Sequence, residues 1–463
     1  MRIANHKIHQ RIKSDLRIEF AHQELTSYSG LELFKRYFRI IQLGNRVKQA
    51  FREHEMTGDY TVTDMVMVLV AIWLVGGDRI RHVEWLGCDP LVQRLCELSQ
   101  LPSNRTIGRW LCQFTNNSLQ ALVELNSGIV FDKLKDMGLG TITLDFDGTV
   151  LSCGDTVGWA FRGYNPHNRH AKSYFPLLCH VAQTGHFLQV RNRPGNIHDA
   201  KCGALNVIKD CVAQAREQMP GVRIEVRMDA AFFQENILRY LNREKIDFAV
   251  KVPMWRWLGL KETINARERW YHANEKLSWF KKAIPLEPWS FDVEMTFFRQ
   301  KISDTPKKGH QLDLFTPDDG LYEFSVLCSN MKLQPPNLFD FYNGRCAIEH
   351  GISEIKGEFG FASIPTKSYQ GNAAYQQVSV MAYNLVRNFQ IDTELTKERT
   401  PGCSRTNVLE FNSLKTLRLE WLNVAGRLVN TDGRKTLKLN QCEPRKEIYC
   451  NISQALEELR HAS

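Results

Sequence analysis

Tyr342, Arg345, Glu349 and Lys356 lie in one short segment, YNGRCAIEHGISEIK. In a helix turning by about 100° per residue, these four polar groups fall within an arc of about 60°. Glu354 and Glu358 point away from that arc, so Glu349 is the acid that shares a face with two cations and a phenol. Arg345 and Glu349 also stand four apart, the spacing of an ordinary solvated helix pair, so the segment needs partners before it becomes a site. Two strands offer them. Residues Thr141 to Asp147 (TITLDFD) alternate in character and are rich in β-branched side chains, which puts Asp145 and Asp147 on the same face of one strand. Asp229 closes a later strand that begins at Val222. Carboxylates drawn from two strands and a helix make a hard oxygen site, suited to Mg2+, with Mn2+ as a substitute, and poor for zinc. Two such ions perform phosphodiester chemistry without a histidine base, because one ionises the attacking water or 3′-hydroxyl and the other stabilises the leaving oxygen. His350 is then a group supporting the acids from behind or a neighbour of the phosphate rather than the general base.

The surrounding elements can be read from periodicity. The chain to about Lys135 is helical in pattern: Phe34, Tyr37, Phe38 and Ile41 recur at helical spacing, with Lys35, Arg36, Arg39 and Arg46 opposite. Leu101 to Phe114 opens with Pro102 and a Ser103 or Asn104 cap and carries Arg105 and Arg109 one turn apart. It reads either as the recognition helix of a helix-turn-helix or as a core helix with two solvated arginines. From Gly138 the order is β-β-β-α-β-α-β: Thr141 to Asp147, a hairpin of Phe175 to Gln183 and Phe187 to Arg191, a helix from an Asp199 cap to Gln218, Val222 to Met228, Gln234 to Arg243, and Asp247 to Val252. The basic run Arg162, His167, Arg169, His170 and Lys172 follows the first strand and either tracks DNA beside the acids or forms a solvated loop. Residues 253 to 335 interrupt the order with Trp255, Trp257, Trp270, Trp279 and Trp289 and a polar loop from Thr305 to His310. Those tryptophans are core residues or platforms for an extruded base. A long helix is expected from about Phe339 and another over Ala373 to Phe389. A polar linker, Thr393 to Asn407, leads to a basic C-terminal unit.

Composition excludes several classes. With 43% hydrophobic and 24% charged residues, the chain is neither disordered nor fibrous. Its longest apolar run, Met65 to Val75, falls well short of the roughly 20 residues that span a bilayer. The basic N-terminus lacks an apolar export segment, so a cytosolic protein is expected. The 12 cysteines are scattered without a C-x-x-C pair, which favours free thiols over disulfides or structural zinc. Lys plus Arg number 60 against 51 Asp plus Glu, and the net +9 suits a polyanionic partner without requiring one.

The Y-x-x-R-x-x-x-E-x-x-x-x-x-x-K spacing of Tyr342, Arg345, Glu349 and Lys356 resembles the signature of DDE transposases of bacterial insertion sequences in the IS-four superfamily. LDFDGT at Leu144 to Thr149, GYNPHNRHAKSYFPLL at Gly163 to Leu178, RPGNIHDA at Arg193 to Ala200, RMDAAFF at Arg227 to Phe233, MAYNL at Met381 to Leu385 and SNRTIGRWL at Ser103 to Leu111 look most like the IS-thirteen-eighty subgroup. The resemblance covers nearly the whole chain. It implies a mixed α+β protein with an RNase H-like catalytic core at 136–252 and 336–392. A β-rich insertion at 253–335 interrupts that core, flanked by a helical DNA-binding region at 1–135 and a basic unit at 393–463.

The resemblance further implies that Asp147, Asp229 and Glu349 form the catalytic, metal-holding acids, with Asp147 preferred over Asp145 because Gly148-Thr149 follows it. Tyr342, Arg345 and Lys356 would hold phosphates near a transposon end, and Arg105, Arg109, Arg162, Arg169 and Lys172 would add DNA contacts. The expected activity is cleavage at terminal inverted repeats and joining of 3′-hydroxyls to target DNA by a homodimer. A stand-alone RNase H-like nuclease or resolvase needs the acids but no second DNA site. A domesticated DNA-binding protein has no use for three converging carboxylates, which repel phosphate unless metals intervene.

Overall fold

A computed structural model describes residues 15–20, 23–163, 165, 168–197, 203–286, 289, 293–302, 321–399, 406–441 and 445–462. At its centre is strand β1 (Thr141–Gly148), whose alternation sends Ile142, Leu144 and Phe146 into one apolar core and Thr143, Asp145 and Asp147 to the opposite face. Antiparallel β2 (Leu177–Val181) and β3 (His186–Arg191) lie on one side of it. Parallel β4 (Arg223–Met228) and β5 (Asp247–Lys251) lie on the other. The residues 253–335 add four strands, β6 (Tyr271–His272), β7 (Leu277–Ile284), β8 (Val293–Lys301) and β9 (Tyr322–Ser329). They pair onto the edge of β5 and complete the order β6-β7-β8-β9-β5-β4-β1-β2-β3, so this segment extends the core sheet. The expected β-β-β-α-β-α-β order is present, with a small sheet of Leu151–Cys153, Phe161–Arg162 and Lys172–Tyr174 inserted directly after β1. The Asp199 cap, His167 and the Thr305 to His310 loop lie outside the described residues.

The principal helices are α1 (Leu31–Ile40), α2 (Val62–Val75), α3 (Asn104–Leu111), α4 (Asn116–Asp136), α5 (Ala204–Gln218), α6 (Glu235–Arg243), α7 (Pro335–Asn343), α8 (Cys346–Glu358), α9 (Tyr369–Asp392) and α10 (Lys446–Ala462). Helices α5 and α6 cover the apolar face of the sheet. Helix α2 is apolar all round and buried, as the centre of a helical layer should be, and among the described residues no helix is long and apolar enough to cross a membrane. The described cysteines are free thiols.

The N-terminal helices, α8, α9 and the C-terminal residues share one apolar core. Trp421 stacks on Phe34 at 5.7 Å and on Phe389 at 5.5 Å. Arg418 fastens the same junction: its Nε donates to the Leu74 carbonyl at 2.9 Å, and its guanidinium also donates to the Trp73 carbonyl and pairs with Glu358 at the end of α8. Replacing it strands a carboxylate and the carbonyl groups of Trp73, Leu74 and Glu358 in a largely dry junction. Arg418→Ala should therefore lower unfolding free energy by about 2–4 kcal/mol, read by denaturant titration.

Candidate active site

Parallel register brings the acids together. Asp145 pairs with Arg227 across β1 and β4, and one alternation further on Asp147 and Asp229 leave the ends of the same two strands. Asp147 accepts a bond from the Gly148 N–H at 3.0 Å. Asp229 caps the short turn Ala230–Phe232 by accepting from the Ala231 N–H at 3.0 Å. Both side chains are partly open to solvent, whereas Asp145 is fully buried. Asp145 is held by Arg227 through two parallel bonds, Nε to Oδ1 at 2.6 Å and Nη2 to Oδ2 at 2.8 Å, with the His180 ring 3.5 Å away. Burial pushes the Asp145 carboxyl up, but Arg227 and His180 outweigh it and hold the group below its ordinary range. Two carboxylates of identical spacing thus have different work: Asp145 is saturated by the protein, and Asp147 faces the site.

The segment from Phe339 is not one helix. Helix α7 ends at Asn343, and α8 starts at Cys346. Between them the bonds tighten to three-residue spacing, from Arg345 N–H to Tyr342 O at 3.0 Å and from Ile348 N–H to Arg345 O at 3.0 Å. Close approach accounts for Gly344 here: a Cβ would stand 2.5 Å from Nη1 of Arg227, which also donates to the Phe341 carbonyl at 2.7 Å. Gly351 lets α8 lie against the sheet, since its Cβ would meet the Phe187 ring at 2.9 Å.

Despite the break, the four motif residues converge. Arg345 bridges two acids, 3.0 Å from Glu349 and 3.4 Å from Asp147. Its Nη1 is buried without a hydrogen bond of good geometry. Burial would lower the Arg345 pKa, but the charges of Asp147, Tyr342, Asp229 and Glu349 raise it, so the guanidinium is firmly cationic. Burial pushes the Tyr342 phenol up and keeps it protonated. Lys356 donates to the Val150 carbonyl at 3.1 Å; burial lowers its pKa and the Asp147 charge partly restores it. Burial pushes the Asp147 carboxyl up to about 6, with Arg345 opposing and Asp229 and Glu349 adding to the rise. Glu354 is engaged elsewhere, with Arg387 at 2.7 Å and the Leu414 N–H at 3.1 Å. His350 faces away with Ala347, Gly351 and Glu354, lining a polar cavity of about 680 Å³ on the other flank of α8.

The donor set fits a divalent cation: three carboxylates, one of them hard to ionise because it is largely buried beside two further acids. Among the described residues no three such groups already form a coordination shell, and the Arg345 guanidinium instead bridges Asp147 and Glu349. Of the expected DNA contacts, Arg162 and Lys172 sit opposite one another on the small sheet, with Arg169 exposed in the turn before Lys172. Arg105 and Arg109 are exposed on α3, behind a Ser103 cap that accepts from Thr106 N–H at 3.1 Å, while Ile107, Trp110 and Leu111 are buried. The RMDAAFF motif alone assigns no role to Arg227, although R-x-D at Arg227 and Asp229 mirrors D-x-D at Asp145 and Asp147.

Residues 9–461 match the family described as transposase DDE domain group 1. Among solved structures, a piggyBac transposase synaptic complex with hairpin DNA, determined by cryo-EM, is distantly similar, with 14% identity and a TM-score of 0.41 over 87% of this chain and 83% of that one. No curated protein matches.

Because the folded-state pKa of Asp147 is raised, the metal-free native state binds more protons than the unfolded chain between about pH 4 and 6, and stability falls as pH rises through that window. Asp147→Asn should remove this cost and stabilise the metal-free protein by about 1–3 kcal/mol at pH 7, while reducing the thermal shift produced by Mn2+. A variant that melts lower than wild type without metal would contradict the electrostatic assignment.

Proposed function

The chain belongs to the transposase DDE domain group 1 family, and from that premise we propose that it is a DNA transposase working through Asp147, Asp229 and Glu349. The observation that carries this reading is that Arg345 bridges Asp147 at the end of β1 and Glu349 on α8, with the charge of Asp229 on the adjacent parallel strand acting on the same guanidinium. The strand order supports an RNase H-like core: in chain order the five core strands lie 3-2-1-4-5, with the second antiparallel to the first. The motif residues support kinship with bacterial insertion-sequence enzymes of the IS-thirteen-eighty type, acting on DNA in the cytosol.

The three acids would hold Mg2+ or Mn2+, which when bound supplies Lewis-acid activation of the attacking oxygen and charge relief at the leaving oxygen. The protein's own groups do the rest. Asp147 must be ionised to take part, so activity should fall as pH drops through about 6 unless metal lowers that value. Arg345, with its fork of donors, and Lys356, a point charge, would draw a phosphate toward the acids, and the protonated Tyr342 would offer a further donor. Arg105 and Arg109 would grip terminal inverted repeats at a distance from the chemistry. One acid set per chain means that joining two ends to one target requires a homodimer.

Asp147→Ala, Asp229→Ala and Glu349→Ala should each reduce cleavage of the element's ends by at least about 10³-fold while leaving repeat binding largely intact. Glu354→Gln should cleave at a rate near wild type. In salt titrations, Arg345→Ala and Lys356→Ala should each flatten the log-log dependence of affinity by about one unit. Cleavage surviving in Glu349→Ala but lost in Glu354→Gln would overturn the assignment of the helix face. Mixing wild-type protein with Glu349→Ala should depress double-ended products more steeply than single-end nicks, and a competent one-chain complex would refute the dimer.

A further inference from the structure

Trp159 is 65% exposed and holds a left-handed backbone at φ 59°. That combination is unfavourable twice over, since a bulky residue rarely adopts positive φ and an exposed indole gains nothing from burial. The surrounding structure fixes the strained position. The N–H of the preceding Gly158 donates to the Lys367 carbonyl at 2.9 Å, and its carbonyl accepts from the Tyr174 hydroxyl at 2.6 Å. Ala160, next along, is buried. The turn is clamped on both sides and its one large side chain is sent outward.

The ring neighbours of Trp159 are aromatic, and basic residues lie close by in the same small sheet and its flank. Phe161, 43% exposed, stands at 6.4 Å and nearly perpendicular to it, and Tyr369 lies at 6.5 Å. Arg162 follows Phe161 and pairs with Lys172, so these two cations lie on the opposite face of the small sheet from Phe161. Lys367 is exposed beside the clamp. Asp155 is the one acid between Val150 and Pro176, and its carbonyl is taken by Lys172 at 2.7 Å. The same sheet starts at Leu151, immediately beyond Asp147, and Lys356 bonds to Val150 in the connection.

We propose that Trp159, flanked by Phe161 and with the exposed Lys367 beside its clamp, is a stacking platform for an unpaired base of the DNA strand entering the acid site. Strain held by surrounding bonds keeps the indole preorganised, so stacking costs little further ordering. Cations beside an aromatic face suit a polyanion whose bases are exposed, and base–aromatic stacking is indifferent to sequence. The inference rests on the DNA-transposase reading and adds a second contact to it.

The test uses the full chain and two probes: a blunt DNA duplex, and the same duplex with a short single-stranded tail containing one 2-aminopurine. Wild-type protein should quench the 2-aminopurine and prefer the tailed probe. Trp159→Ala should lose most of the quench and weaken tail binding about tenfold or more, without changing affinity for the blunt duplex, and Trp159→Phe should retain most of both. Trp159→Gly suits the left-handed backbone, so it should melt no lower than wild type and yet lose the quench, which separates stacking from folding. Unchanged quenching and tail affinity in Trp159→Ala would overturn the platform alone. A change in oligomeric state on Trp159→Ala without DNA would also overturn it, by assigning the surface to a contact between copies. Failure of wild-type protein to bind either probe would sink the DNA reading itself.

Discussion

The buried pair of Asp145 and Arg227 is the constraint on which the site depends. Both side chains are fully buried at the centre of the sheet, where a charge without a partner is very costly. The pair does more than lock β1 to β4. Arg227 uses Nη1 on the Phe341 carbonyl and the Thr406 hydroxyl, so the end of α7 and the chain leading to the C-terminal residues are tied to the same guanidinium. Gly344 leaves room for that guanidinium, and the turn beside it delivers Tyr342 and Arg345 to the acids. Removing either partner would leave an uncompensated charge, with a cost of about 3–5 kcal/mol typical of such sites. A buried ion pair is weak evidence of stability in itself, and here its value lies in fixing the register and the helix turn together.

Register explains how two aspartates separated by one residue can differ so completely. On parallel strands, every second residue faces the same way, so D-x-D beside R-x-D produces a neutralised level and an acidic level stacked on one face. The protein satisfies the lower level by itself. The upper level is largely buried with Arg345 as its main counter-charge, and that burial, reinforced by the neighbouring Asp229 and Glu349, gives the Asp147 carboxyl its raised pKa. This contrast between satisfied and unsatisfied carboxylates separates a structural group from one available for chemistry.

Much of this was legible in the sequence, for definite reasons. The alternation of TITLDFD identifies the strand and its polar face, and the helical spacing of Tyr342, Arg345, Glu349 and Lys356 survives even though the helix breaks. The break itself was hidden because Gly344 and Arg345 keep near-helical backbone angles; what ends α7 is the guanidinium of Arg227, distant in sequence. The fate of residues 253–335 was hidden for a similar reason, since strand pattern reveals β7 to β9 but not the pairing of β9 onto β5. Trp159 carries no sequence signal at all: its conformation is imposed by Lys367 and Tyr174 from outside the turn.

The helical core has a consequence for how force and position pass through the molecule. Helix α9 is buried along nearly its whole length, with the N-terminal helices, α8 and the C-terminal residues packed around it. Arg418 joins the end of α8 to the carbonyls of α2, and Glu354 in the middle of α8 anchors to Arg387 of α9. The helix that carries Glu349 is therefore gripped along its length by the layer that also presents Arg105 and Arg109. In close-packed interiors such elements move together or not at all. Arg105 and Arg109 on α3 are thus held in a fixed relation to the acids of the same chain, so the basic face of that helix and the acid site turn as one body.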